Sequence, residues 1–351
     1  MYDIVICETF RLILGRLCEQ ATGMSSNNMT ILEINDLTVR FKQKRSTVYA
    51  VNGLSFTLGR SERLAIVGES GCGKSVTCRS ILGLNLSATV NGVITFEGKD
   101  ILSMPESELR ALRGRRIAMV FQDPSSALNP VVTIGKQMLA VIQHHHAVTK
   151  DEARTRAIET LRELSVPSPE AKLCQYSHEQ SGGTNQRIML AMALTCDPDL
   201  LIADEPTASL DATVQQQIIR LLIRVSEERD MSVLCVTHNL ALVRQIADRV
   251  LVLYYGRLME EGPVDEVLNQ PRHPYTKALL SAFRFDSVGG IVVDGEPPSP
   301  LALVSGCPYA PRCQERIGDI CDMQAPRIIK KDVQVCCHWF DETVIKNGAR
   351  K

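Results

Sequence analysis

The stretch RLAIVGESGCGKSVTCRSILGL, Arg63 to Leu84, joins a short apolar run to a glycine-rich turn and then to a second apolar stretch. The first run predicts a buried strand, the glycines a turn, and the last part a helix. Gly68 to Ser75, GESGCGKS, fits Gly-x-x-x-x-Gly-Lys-Ser/Thr in the strand–turn–helix setting which that motif requires. Glycines let backbone N–H groups curl around phosphate oxygens, and the helix that follows points its positive end at them. Nucleotide-binding residues are therefore expected at Gly68, Glu69, Ser70, Gly71, Cys72, Gly73, Lys74, Ser75 and Val76. Lys74 would reach the β- and γ-phosphates and Ser75 would hold Mg2+. Cys72 reads as a small filler of the loop.

Outward from this loop, short apolar runs recur, each closed by polar residues. RIAMVFQDP ends on Gln122, DLLIADEP on Asp204 and Glu205, and SVLCVTH on His238. Helical segments are expected between them, near 151–164, 184–196, 212–229 and 239–248. Strands alternating with helices imply a parallel sheet with helices on its faces, whose ligands gather at the carboxyl ends of the strands. Residues 30–60 alternate instead around turn residues and read as antiparallel strands. A carboxylate delivered by a buried strand needs a counter-charge, because burying it unpaired is expensive. A Mg-nucleotide supplies one. Asp204 is expected at the metal's outer shell and Glu205 as the group that polarises the attacking water. Gln122 is placed to reach Mg2+ and water, and His238 to reach the γ-phosphate.

In this order the elements resemble the ATP-binding subunits of ABC transporters, over residues 29–285. GESGCGKS looks like Walker A, FQDP the Q-loop, SGGTNQR the signature, LLIADEP Walker B, ASLD the D-loop with Asp211, and VTH the H-loop. The resemblance implies an α/β P-loop ATPase with a mixed sheet core, an antiparallel β subdomain, a helical signature subdomain over about 126–198, and a small Cys-rich C-terminal extension. It implies Phe41, with Tyr49 second, as the aromatic that stacks on adenine. It also implies a dimer in which Ser181, Gly182, Gly183 and Gln186 of one chain face the ATP on the partner's Walker A. A helix N-terminus with a serine hydroxyl and bare glycines can press against a γ-phosphate, so ATP joins two subunits and hydrolysis releases them.

Finer features resemble the peptide and nickel importer branch: FQDPSSALNPVVTIGKQM, NQPRHPYTKALLSA and GCPYAPRC. That likeness implies uptake of di- or oligopeptides, with nickel or another small solute as the alternative. It implies a second, distinct ATPase chain, two integral-membrane permeases and an extracytoplasmic binding protein. It places the chain peripherally on the cytoplasmic face of the membrane, with residues 122–135 under a permease helix. A soluble ABC ATPase acting on ribosomes or DNA is less favoured, because tandem domains, long coiled coils and basic arms are not evident. Net charge is -1, which gives no general electrostatic case for nucleic acid or an anionic membrane. Aromatics at 5% argue against a stacking surface for carbohydrate.

Residues 286–351 read as an extension that begins with a Gly- and Pro-rich linker. Five of the twelve cysteines crowd there, and Cys307-x5-Cys313-x7-Cys321-x15-Cys337 offers four thiolates. By themselves these suit Zn2+ or an iron–sulfur cluster; the family resemblance favours [4Fe–4S]. Cys336 is a fifth thiol and His338 an alternative ligand. QHHH, Gln143 to His146, reads as an exposed turn. Residues 1–28 lack the basic start and apolar core of a signal peptide. They read as a poorly ordered extension, with Met24 or Met29 as an alternative start, or as an amphipathic helix.

The signature departs from the family at two letters. Gln180 stands where a packing Leu is expected and Thr184 where Gln or Met is expected. Gln180 is expected to loosen the helix start. An asymmetric heterodimer follows, with the site on this chain's own Walker A active and the opposite site slower.

Overall fold

The computed structural model describes residues 30–208, 210–283, 295–330 and 332–344. The N-terminal extension and the start of the expected linker, residues 286–294, lie outside them. Two sheets organise the chain from Ile31 onward. In the first, the strand order is β2 (Thr47–Gly59), β1 (Thr30–Lys42), β4 (Ala88–Phe96), β5 (Lys99–Asp100). β4 runs antiparallel to both β1 and β5.

The second sheet contains β3 (Arg63–Val67), β6 (Ile117–Val120), β7 (Leu200–Asp204), β8 (Ser232–Val236), β9 (Arg249–Tyr254), β10 (Arg257–Pro263) and β11 (Gln334–Val335). Its order is β11-β10-β9-β3-β8-β7-β6. The β9-β3-β8-β7-β6 part is parallel, and the β10 and β11 pairings are antiparallel. The core is thus a mixed sheet. The crossovers put helices on both faces, which is why β7 and β8 are buried at every position rather than alternating.

Side chains along β3 alternate between two cores because successive residues of a strand point to opposite faces. Leu64 and Ile66 join Leu234, Val236, Leu200 and Ile202 under the antiparallel sheet, against Cys78 and Ile81 of the helix Lys74–Ile81. Ala65 and Val67 face the other way, toward Val250, Val252 and Tyr254. A third cluster joins Leu201, Val233 and Cys235 to the helices Gly182–Leu194 and Ala212–Glu228. Each fully buried Leu or Ile contributes about 1.5–3 kcal/mol, so these layers hold the strand ends, where the site lies, in fixed register.

The expected helices form at Lys150–Glu163, Gly182–Leu194, Ala212–Glu228 and Leu240–Ile246. Thr149 and Glu152 build a reciprocal capping box at the first of them. QHHH is not a turn: it closes the helix Ile134–His145, whose apolar face carries Ile134, Met138 and Ile142 into the core. Gln143 and His144 are exposed, and His145 and His146 half-buried.

The Cys-rich tail is not a separate lobe. β11 pairs with β10, and Cys307, Tyr309, Ala310 and Cys321 share a core with Tyr254 and Tyr275. Among the described residues, no helix is long and apolar enough to cross a membrane.

Candidate nucleotide site

β3 ends at Val67, and Gly68 to Gly73 turn the chain into the helix Lys74–Ile81. Gly73 caps that helix with a φ of 104°, a left-handed conformation that costs glycine little. A Cβ there would stand 2.4 Å from the Ala50 carbonyl oxygen, so only glycine fits. Ser70 and Gly71 are exposed on the crest of the loop, Val76 packs against the core, and Cys72 is buried. Burial pushes the Cys72 thiol up, which keeps it neutral and suits a filler.

Lys74 is 6% exposed and donates from Nζ to the carbonyls of Gly68 at 2.8 Å and Glu69 at 2.9 Å. Its ammonium therefore lies inside the curve of the loop. Ser75 Oγ donates to Asp204 Oδ1 at 2.9 Å, so the serine and the acid expected to share a metal already touch. Burial pushes the Asp204 carboxyl up, partly offset by the Ser75 hydrogen bond. A divalent cation there would favour the ionised form.

Glu205, Gln122 and His238 come together although they arrive from three strand ends. His238 Nδ1 is 3.1 Å from Glu205 Oε2, and Gln122 Nε2 donates to the same oxygen at 3.4 Å. The Glu205 backbone N–H donates to the Val236 carbonyl at 2.8 Å, tying the end of β7 to β8. Its φ of 48° lies in the left-handed region, where a non-glycine residue costs about 1–3 kcal/mol and persists only if its surroundings hold it. This conformation aims the carboxylate at Gln122 and His238 while Asp204 points to Ser75. A water held by this trio can lose a proton to Glu205.

A second patch lies at the helix Gly182–Leu194. Ser181 is its N-cap, and its Oγ accepts from the Thr184 N–H at 3.3 Å. Ser181, Gly182, Gly183, Thr184 and Asp211 line one open cleft. Asp211 Oδ1 caps the helix Ala212–Glu228 through the N–H groups of Thr213 at 3.1 Å and Val214 at 3.0 Å. A Cβ at Gly183 would meet Val214 Cγ1 at 2.8 Å, so that glycine is needed for the helix to pack. Gln186 does not face the cleft. It is 1% exposed, one turn further on and turned into the core.

Gln180 does not loosen the helix start. Its Oε1 accepts from Lys172 Nζ at 2.6 Å, and its Nε2 donates to Gln175 Oε1 at 3.0 Å and the Tyr176 carbonyl at 3.2 Å. Polar tethers replace the apolar contact expected from a leucine. The aromatic candidates stand on β1 and β2, with Tyr49 next to the Ala50 whose carbonyl abuts Gly73. Phe41 pairs with Ala88 and is partly buried against the core; Tyr49 donates its N–H to the Pro300 carbonyl and lies under the Arg40 guanidinium.

Two residues of this region carried no signal in the sequence. Arg312 Nη1 donates to both carboxylate oxygens of Glu69, at 3.0 and 2.9 Å, across 243 residues of chain. Tyr275 OH accepts from the Glu69 N–H at 3.0 Å. Both lie in stretches whose family likeness is plain, but nothing local in GCPYAPRC says that its arginine reaches the phosphate loop.

In the tail, Cys307, Cys313, Cys321 and Cys337 line one cavity with His273 and Tyr309. A preformed ion site does not result: among the described residues, no group of three or more His, Cys, Asp or Glu is placed to hold a metal ion. Burial pushes the Cys307 and Cys337 thiols up to about 12 and raises Cys313. A metal or cluster bound there would displace their protons. Cys336 stands outside this set, donating to the Pro326 carbonyl at 3.2 Å, and His338 Nε2 is engaged by the Gln324 carbonyl at 2.9 Å.

A phosphate loop on one strand, an acid pair on a second, and Gln and His from two more define an ABC-type ATPase. The ABC transporter family profile matches residues 51–208, and the profile of the oligopeptide/dipeptide transporter C-terminal region matches residues 259–321. The chain is 44% identical over 319 residues to the dipeptide transport ATP-binding protein DppD of Bacillus subtilis, spanning 89% of this chain and 95% of that protein. It is 44% identical over 314 residues to the oligopeptide transport ATP-binding protein OppD of Salmonella typhimurium, spanning 88% and 93%. The dimeric ATP-binding cassette MJ0796, solved with ADP and Pi, superposes with a TM-score of 0.61 at 26% identity, over 67% of this chain and 99% of that one. The chain belongs to the ATP-binding subunits of ABC transporters. Within them it carries the C-terminal region of the oligopeptide/dipeptide branch, and it is an ATPase.

Proposed function

We propose that this chain powers the import of di- or oligopeptides by binding and hydrolysing ATP. The observation that carries it is the 44% identity to DppD, which spans 95% of that dipeptide transport protein and runs on into the tail. Uptake of labelled peptides and of Ni2+ in a strain lacking this chain tests it. Peptide uptake is expected to fall to background with Ni2+ uptake intact; unchanged peptide uptake rejects peptides as the cargo, and loss of Ni2+ uptake alone selects nickel.

Lys74, the loop amides and Ser75 hold MgATP, with Asp204 at the metal. Glu205 takes the proton of the attacking water, Gln122 orients that water, and His238 contacts the γ-phosphate. The contact between Ser75 and Asp204 and the Glu205–Gln122–His238 cluster support these roles. Ser181, Gly182 and Gly183 serve the ATP of a second ATPase chain, a reading supported by their open cleft and by the dimeric state of MJ0796. That second chain is a distinct protein, because Thr184 and Gln180 make this signature unlike the family's. The chain lies peripherally on the cytoplasmic face of the membrane, with residues 122–135 under a helix of the two integral-membrane permeases, which an extracytoplasmic binding protein feeds.

The tail takes a [4Fe–4S] cluster. Four soft thiols around one cavity suit a cluster that asks one thiolate of each iron. Its part is structural, as a staple for a segment too small to build its own core. Anaerobically purified protein is expected to hold about four irons per chain and to be brown; colourless, iron-free protein rejects the cluster.

A further inference from the structure

Glu69, the second residue of the phosphate loop, is fixed from three sides. Its N–H goes to Tyr275 OH at 3.0 Å, its carbonyl accepts from Lys74 Nζ at 2.9 Å, and its carboxylate is held by Arg312 at 2.9 and 3.0 Å. Arg312 belongs to the Cys-rich tail, in the turn Ala310–Arg312. Its side chain is 7% exposed against 26% for Glu69. The same Nη1 also donates to Tyr254 OH at 3.0 Å, and the guanidinium lies 5.8 and 5.9 Å from the ring centres of Tyr254 and Tyr309. Tyr254, Tyr275 and Tyr309 meet one another at tilted and edge-on angles, with ring centres 4.6 to 5.5 Å apart. A buried guanidinium is expensive without a partner, and a planar cation wedged among rings has little freedom. The aromatic box therefore sets where the charge stands, and that place is on Glu69.

A carboxylate in a loop built to receive a triphosphate is an electrostatic fault. Free, it would repel the γ-phosphate and compete for Lys74. We propose that Arg312 is a positioning residue for ATP binding: it neutralises and pins Glu69, so that the phosphate loop is anion-receptive only while the tail is docked. The inference rests on GESGCGKS being the ATP site. It gives the tail a role in the ATPase cycle besides that of an attached staple. Cys313 follows Arg312 directly, and its thiol lines the four-cysteine cavity, so disturbance of that cavity is transmitted to the loop through one residue.

The test compares KM for MgATP, kcat and thermal stability of the full-length chain and its variants. Arg312→Ala is expected to raise KM about 5- to 10-fold through the uncovered charge, with kcat at saturating ATP near that of the unaltered chain. Arg312→Lys, which keeps the charge, should recover most of the affinity. The decisive variant is the double one: Arg312→Ala with Glu69→Gln should bind MgATP better than Arg312→Ala alone, because the charge that repels phosphate is gone. A purely structural arginine would show no such recovery, and its absence overturns the proposal. KM unchanged in Arg312→Ala while Lys74→Ala raises it overturns this proposal alone; KM unchanged in both overturns the phosphate-loop assignment with it. If Arg312→Ala does not fold, Arg312→Lys and Glu69→Gln decide: Glu69→Gln keeps one of the two Arg312 hydrogen bonds and removes the negative charge, so it should lower KM or leave it unchanged, and a rise overturns the proposal.

Discussion

Glu205→Gln is expected to lower ATP turnover by about 10²–10⁴-fold, the range that a positioned general base contributes, while MgATP binding survives. The amide keeps the size of the carboxylate and can still face His238 Nδ1 and Gln122 Nε2, which now stand 3.1 and 3.4 Å from Glu205 Oε2. What it loses is the ability to take a proton from water. With hydrolysis blocked and binding intact, the closed nucleotide-bound dimer should accumulate, read as a stable complex in gel filtration with MgATP beside a phosphate-release assay. Preserved turnover would remove Glu205 from the role of base. The same substitution also measures asymmetry between the two chains. Disabling Glu205 here should cost more turnover than disabling the partner chain's glutamate, because the partner's site relies on the Gln180/Thr184 signature. Equal losses would refute the asymmetry. The tethering of Gln180 by Lys172, Gln175 and Tyr176 narrows any such asymmetry to Thr184 and its hydroxyl contact with Ser181, at 2.9 Å.

Lys74→Ala should weaken MgATP binding by about 10²-fold, from the loss of two charge-assisted contacts at about 1.5 kcal/mol each. The ammonium is already desolvated and held by the Gly68 and Glu69 carbonyls, so little further desolvation opposes its move onto the phosphates. Equilibrium titration with a fluorescent ATP analogue reads the effect. The helix Lys74–Ile81 should persist, since its first turn is set by Gly73 and by the packing of Cys78 and Ile81 rather than by the lysine. Affinity unchanged in a folded Lys74→Ala protein would sink the assignment of GESGCGKS as the phosphate site.

The phosphate loop, the acidic strand and the alternation of strands with helices are legible in the sequence because each is local. A loop that wraps phosphate needs glycines within a few residues of one another, and a strand buried on both faces needs an unbroken apolar run. The N-cap at Ser181 is local in the same sense, a serine followed by a helical stretch. Gln186 and Gln180 differ from the expectation for a physical reason. The helical period tells which residues share a face but not which face meets solvent, and here Gln186 falls on the buried one. Gln180 seemed a packing defect because its three partners at Lys172, Gln175 and Tyr176 come from a turn whose path no pattern predicts. The cysteine spacing likewise names four thiols, and only the folded tail brings Cys307, Cys313, Cys321 and Cys337 around one cavity.

The sequence by itself determined which chemical groups this ATPase owns: a lysine among glycines after one strand, a serine beside them, an acid pair closing a second strand, and cysteines in a tail. The tertiary structure alone decided which of them meet. Glu205, Gln122 and His238 converge because β6, β7 and β8 lie side by side in register. Arg312 reaches Glu69 across 243 residues because β9 brings Tyr254 beside the phosphate loop and the tail packs its tyrosine against that ring. Spacing along a chain fixes only near neighbours. Contacts between distant residues follow from the layers that bury apolar surface, and those layers exist only once the whole sheet has formed.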